Sequence, residues 1–231
     1  MNRMWIAGLA GVLGAGCATV RMPVPEPLAA APEWVIRPRS AWRPDAALRV
    51  GPYEAYRIDR HGIRQRGGVM DVLKGKREFQ QRYEFVLRDT AAARDLWSVR
   101  CDNRDVEQGV RLGGVELSLD DRSSLTCEIR ESDQPAWTLR VGGSDDGAPT
   151  GHLRRGELAY DLAGTNPPGG TDDCCQPLGY VVRRGESVLA SLETTDHGRL
   201  RLAPSVAPAE ASLLAAASVA LVLQTRLIDD P

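Results

Sequence analysis

Between Ala211 and Leu223 every residue is Ala, Val, Leu or Ser, so a helix drawn through these 13 residues has no polar stripe at any phase. A helix that is apolar all round must be enclosed on every side or lie in lipid. The run is short of the roughly 20 residues that span a bilayer, which favours enclosure by the rest of the chain. Its flanks suit a helix. Pro208 gives up an N–H that the first turn leaves unpaired anyway, Glu210 complements the positive end and Arg226 the negative end, so the expected core helix runs from Pro208 to about Leu227.

The stretch before this helix reads as strands. From about Ala47 onward, short segments alternate apolar and polar residues and end at Gly, Pro, Asn or Asp, the pattern of an antiparallel β-sheet or barrel. Candidates are Tyr53–Arg60, Glu78–Arg88, Trp97–Cys101, Val115–Leu119, Leu125–Arg130, Trp137–Val141, Leu158–Leu162, Tyr180–Arg183, Val188–Leu192 and Leu200–Leu202. Trp97, Val99 and Cys101 share one face, as do Leu125, Cys127 and Ile129, and Trp137, Leu139 and Val141, with polar residues between them. One face is therefore expected in a core and the other in water. Arg184-Gly185 and His197-Gly198 mark turns among the last strands, and Asp89–Leu96 is expected to form a helical turn. Gly142–Gly151 and Gly164–Gly170 are expected to be loops because they are rich in Gly, Pro and Asp.

The N-terminus carries different information. MNRM supplies one positive charge, WIAGLAGVLGAG a short apolar core of small residues, and Cys17 follows directly, which is the layout of an export signal. Leu13-Gly14-Ala15-Gly16-Cys17 resembles the lipobox of bacterial lipoproteins, although Gly14 stands where that pattern prefers Leu. The resemblance implies that residues 1–16 are a signal peptide and that Cys17 is the site of lipid attachment and the mature N-terminus. Ala18 after the cysteine, rather than Asp, resembles lipoproteins of the outer membrane. Residues 17–46 contain six prolines from Pro23 to Pro44 and read as a semi-rigid tether. Trp34, Val35, Ile36 and Trp42 are unusual in a spacer and are expected to dock on the domain, taken as residues 47–231.

The segment from Gly179 to Leu227, strands followed by an apolar helix, resembles the closing part of the tubby-like superfamily, which includes the LURP-one-related and scramblase-like proteins. That likeness implies a barrel with the helix threaded through it. The competing architecture is a curved sheet packed on one side of the helix, so the expected fold class is mainly β, a barrel or strongly curved sheet closed around or packed on a buried C-terminal helix. No position matches the ligand-binding motif of tubby proteins, and none of their site residues carries over.

Beyond Cys17 four cysteines remain: Cys101, Cys127, Cys174 and Cys175. In an exported chain an even number points to disulfides. A bond between neighbours is strained, so Cys101 and Cys127 are expected to pair with the two loop cysteines or with each other. The zinc spacing C-x-x-C is absent, His61, His152 and His197 stand beside glycines as turn residues, and neither a G-x-S-x-G elbow nor a phosphate-cradling P-loop is present. No cofactor, metal or catalytic residue is expected. Acidic clusters at Asp102–Glu107, Asp120-Asp121, Asp145-Asp146 and Asp172-Asp173 lack the EF-hand spacing.

With 29 basic and 31 acidic side chains the net charge is −2, which gives no global field for nucleic acid. Locally, eight Lys or Arg (Arg57, Arg60, Arg64, Arg66, Lys74, Lys76, Arg77, Arg82) face three acids between Arg57 and Arg82. Such a stretch suits anionic lipid head groups or lipopolysaccharide. The sequence thus predicts an envelope lipoprotein, held by its N-terminal lipid in the outer membrane, with a non-catalytic structural or binding domain. An envelope enzyme with its site between Gly142 and Cys175, and a lipid or small-ligand carrier, are the competing readings.

Overall fold

A computed structural model describes residues 21–37, 45–66, 76–112, 115–144, 148–166, 177–195 and 198–224, with side chains left undescribed from 107 to 121 and at Ser144. Among the described residues, thirteen strands form one sheet. They are β1 (Glu33–Val35), β2 (Leu48–Val50), β3 (Tyr53–Arg60), β4 (Arg64–Arg66), β5 (Lys76–Asp89), β6 (Arg94–Leu112), β7 (Val115–Arg130), β8 (Trp137–Ser144), β9 (Thr150–Arg155), β10 (Leu158–Thr165), β11 (Gly179–Arg184), β12 (Ser187–Glu193) and β13 (Arg199–Leu202). A single helix, α1 (Pro208–Leu223), follows.

Every pairing is antiparallel, and from β5 to β13 each strand pairs with the next in sequence. β13 then pairs with β1, β3 bridges β5 to β2, and Arg37 and Arg49 exchange both backbone hydrogen bonds at 3.0 and 2.6 Å. That bridge joins the two ends of the sheet. The result is a nearly closed barrel of 12 strands, with β4 continuing the β3 edge along β5. Closure removes the open sheet edges on which chains aggregate.

The interior is the helix. All residues from Ala211 to Leu223 are buried, and they share one continuous core with Trp97, Val99 and Cys101 of β6, Leu125, Cys127 and Ile129 of β7, and Trp137, Leu139 and Val141 of β8. The strand phases read from the sequence are the observed ones. Helix and wall are also joined by hydrogen bonds from several strands, as described below. The helix stops earlier than expected. Gln224 is already extended (φ −62, ψ 122), and its amide closes the last turn on the Ala220 carbonyl, so Leu223 rather than Leu227 is the last helical residue.

Four strands were not anticipated. β2 and β4 are three residues long, too short to show a period, and β4 (Arg-Gln-Arg) is exposed throughout. β9 was not assigned, and its first two residues, with the ends of β8 and β10, occupy stretches expected to be loops. Glycine there serves close strand packing, not turning: a Cβ on Gly151 would lie 2.3 Å from the Arg140 carbonyl and 2.7 Å from the Val141 side chain. The hairpin between β5 and β6 is a four-residue turn, Thr90–Ala93, in which the Asp89 carboxylate accepts from the amides of Ala91 and Ala92, and the strand resumes at Arg94.

β1 lies in the proline-rich stretch, so the sheet begins ahead of Ala47. Ile36 is fully buried in the core, and the Trp34 ring packs edge-on against Tyr53 at 6.1 Å. Ahead of β1, residues 21–32 cross the outer face of β11 and β12. Met22 sits with Leu178 and Val181 in a small second cluster, and Leu28, on a short 3-10 turn, is fully buried. That cover explains why β12 is buried on both faces. Trp42 lies outside the described residues.

Candidate functional site

The two mouths of the barrel hold the groups that are neither simple core nor simple surface. At the mouth by the helix N-terminus, Tyr53 donates to the Pro208 carbonyl (3.3 Å), and Trp97 Nε1 donates to Ser212 Oγ (2.9 Å), which itself donates to the Ala209 carbonyl (2.8 Å). Glu210 pairs with Arg184 at 3.0 Å and accepts from Tyr160. Burial, then the Glu210 carboxylate, pushes the Tyr160 hydroxyl up to about 12.

The opposite mouth is built differently. Arg60 donates to the Leu223 carbonyl (3.0 Å), an acceptor that the helix end leaves open, and Tyr83 donates to the Ala220 carbonyl (2.7 Å), which also accepts from the Gln224 amide. The positive guanidinium also suits the negative end of the helix dipole. Burial pulls the Arg60 guanidinium below its ordinary value, with Tyr83 and Asp45 opposing, and its Nε has no hydrogen-bond partner among the described residues. Burial also drives the Tyr83 hydroxyl far above the usual tyrosine range. Gln224 Nε2 reaches Asn103 Oδ1 and Ser123 Oγ, both at 3.4 Å. Asn103 and Asp105 are almost fully buried, and Gln81 stands opposite Asn103 in the sheet register. The inward face of β6 therefore changes from Trp97, Val99 and Cys101 to Asn103 and Asp105 where the helix ends.

Outside this mouth Asp102 accepts from Arg104 (2.9 Å), Arg82 (3.1 Å) and Gln80. Burial acts to raise its carboxyl, but the bonds from Arg104, Arg82 and Gln80 outweigh burial and hold it below the ordinary carboxylate value. Asp102 and Asp105, neighbours in the acidic stretch Asp102–Glu107, thus serve different places, one in an outer ion network and one in the interior.

Cys101 and Cys127 stand directly opposite each other on β6 and β7 with Cα atoms 4.1 Å apart, and their sulfurs are bonded. Both are buried in the core. Of the pairings left open by the sequence, this is the one between the two strand cysteines. Cys174, Cys175, His197 and the lipid-attachment residue Cys17 lie outside the described residues. His61 is exposed in the turn after β3, and His152 is half-buried on β9, paired with Asp161 and Arg140 through the backbone. Among the described residues no group of three His, Cys, Asp or Glu side chains could hold a metal, and no helix is long and apolar enough to cross a membrane.

The basic stretch divides. Arg60 is committed to the helix end and Arg82 to Asp102. Arg57, held at φ 52 in the β3 bulge, stacks over Tyr56 at 5.3 Å, with Arg88 on the same ring at 4.7 Å. Arg64, Arg66 and Lys76 remain exposed, close together on β4 and the start of β5. Lys74 lies outside the described residues.

Sequence reading missed the inward polar residues Gln81, Asn103 and Asp105. For Asn103 and Asp105 the signal is a change of the same alternating phase from apolar to polar after Cys101. No protein-family model, no curated protein and no solved structure matches this chain.

Proposed function

We propose that this is an envelope lipoprotein, anchored through a lipid on Cys17 in the outer membrane, whose barrel acts by surface contact and not by catalysis. The observation that carries the reading is the filled interior: α1 occupies the space in which a barrel would hold a ligand, with every residue from Ala211 to Leu223 buried. This counts against a carrier and leaves the outer wall and the two mouths as the surfaces available for recognition. The export signal and the small-residue run before Cys17 support the anchor, and the exposed Arg64, Arg66 and Lys76 support anionic lipid as the contact.

The deciding experiment is fractionation of the full chain expressed in a Gram-negative host, with mass analysis of the mature N-terminus. The native chain should sediment with membranes and carry acyl mass on residue 17. Cys17→Ser should be released into the soluble periplasmic fraction, and unchanged membrane association of that variant would sink the proposal.

A further inference from the structure

Residues 21–35 lie along the barrel wall instead of standing off from it. Met22 is buried against the start of β11, where a Cβ on Gly179 would lie 2.6 Å from its sulfur. From there the chain is pinned. Leu28 is buried, Arg201 donates to the Ala31 carbonyl and to Glu33 (both 2.8 Å), and Arg199 bridges Glu33 (3.4 Å) and Glu193 (2.8 Å). Only five residue steps separate Met22 from Cys17, at most about 18 Å of fully extended chain.

The place where this strap begins fixes which end of the barrel it leaves from. Gly179 pairs with Glu193, Glu193 pairs with Arg199, and a Cβ on the adjacent Gly198 would lie 3.0 Å from Val222 of α1. Met22 is therefore level with the helix C-terminus. The same end carries Arg64, Arg66 and Lys76, since β4 pairs with Glu78–Gln80, beyond Tyr83 at the last helical turn. It also carries the longest projection of the sheet. β6 continues nine residues past Asn103, the residue level with Gln224, to Leu112. At ordinary strand rise and barrel tilt this is roughly 20 to 25 Å along the axis. Its register with β7 sets Val110 opposite Leu117 and Leu112 opposite Val115, so four apolar residues take cross-strand positions near the tip of the arm.

We infer that the helix C-terminal end of the barrel is a membrane-docking face, which the strap presses onto the anionic head groups of the bilayer that holds the lipid. This rests on the anchored reading above. A leash of at most about 18 Å leaves from the same end of the barrel that carries β4 and the start of β5, so the anchored barrel keeps that end toward the bilayer. Arg64, Arg66 and Lys76 then meet lipid phosphates.

The test uses the full chain with its signal peptide removed and Cys17→Ser, so that binding is read without the anchor. Co-sedimentation is measured with vesicles of phosphatidylglycerol and phosphatidylcholine, and with phosphatidylcholine alone, at 20 mM and 500 mM salt. Binding should require the anionic lipid and low salt. Reversal of Arg64, Arg66 and Lys76 to Glu should weaken it at least a hundredfold, since each cation near an anionic surface contributes about fivefold. Reversal of three exposed arginines on the walls and closed end, Arg94, Arg154 and Arg183, should change it less than about fivefold. If the triple reversal disturbs folding, as judged by its thermal transition, the Gln versions of the same three residues replace it. Equal losses from the two reversal sets, or no binding to anionic vesicles, would overturn the docking face. Acyl mass on Cys17 is read separately: its absence with end-specific binding intact defeats the anchor alone, and its presence without end-specific binding defeats this inference alone.

Discussion

At the helix N-terminus the strands stop where the helix stops, whereas at its C-terminus β5, β6 and β7 run on. The first mouth is shut by short turns (Gly51-Pro52, Thr90–Ala93, Gly156-Glu157 and Gly185-Glu186) and by side chains that bond directly to the first helical turns. The second is lined by Arg60, Gln81, Asn103 and Asp105, polar groups on walls that no longer have an apolar helix to pack against. The cause is a mismatch of lengths. Sixteen helical residues span about 24 Å, while the 19 residues of β6 span about 60 Å. A barrel built on one short helix can be sealed at one end only, and the wall beyond the plug must turn polar or find another partner.

The plug itself is where the largest effect is expected. Ala217 is buried at mid-helix, and Ala217→Asp places a carboxylate in the core with no counter-ion, at a cost above about 4 kcal/mol. The variant should lose its cooperative thermal transition, and a melting temperature within a few degrees of the native one would show that the helix is not enclosed. Next comes the disulfide. Replacing both Cys101 and Cys127 by Ala should cost about 2 to 4 kcal/mol in urea unfolding of non-reduced protein. A native midpoint would mean that the β6–β7 pairing is secured by its ladder alone. The ends themselves separate at the next level. Ser212→Ala leaves the buried Trp97 Nε1 without its acceptor and should cost about 1 to 3 kcal/mol. Gln224→Ala removes two contacts that are long, 3.4 Å each, and should cost under about 1 kcal/mol. Equal costs would erase the distinction between a sealed and an open end.

How far the sequence led follows the same division. The enclosed helix is legible because Ala211–Leu223 offers no polar stripe, and β5, β8 and β13 are legible because buried apolar residues alternate with polar ones along them. Past the end of the helix the rule that makes strands readable no longer applies. The alternation that marks β6 stops at Cys101 because Asn103 and Asp105 are polar, although the strand continues to Leu112. β4 has no apolar residue, and β1 is hidden among prolines because three residues suffice when Ile36 and Trp34 supply the packing. The candidate face was half legible: the excess of basic residues between Arg57 and Arg82 was visible, but not that Arg60 and Arg82 are already committed.

The finest difference between the ends lies in their pH response. At the closed end the Tyr160 hydroxyl, raised to about 12 by burial and by Glu210, stays neutral in the folded state above the pH at which an unfolded tyrosine ionises. Its contribution is complete below about pH 10 and is lost as the pH rises from there through 12. At the open end the Asp102 carboxyl is depressed, so its contribution is present above about pH 4 and is lost as the pH falls through its folded value. Tyr160→Phe should therefore flatten the alkaline limb of stability against pH and leave the acid limb alone, while Asp102→Asn should do the reverse. The Asp102 effect is under about 1 kcal/mol, since its carboxylate remains partly in contact with solvent. Urea midpoints collected from pH 3 to 11 would show it as a convergence of the native and Asp102→Asn curves at low pH. Parallel curves across the whole range would mean that the Arg82–Asp102–Arg104 network holds nothing in place at the open end, leaving the backbone ladder as the only restraint on that part of the wall.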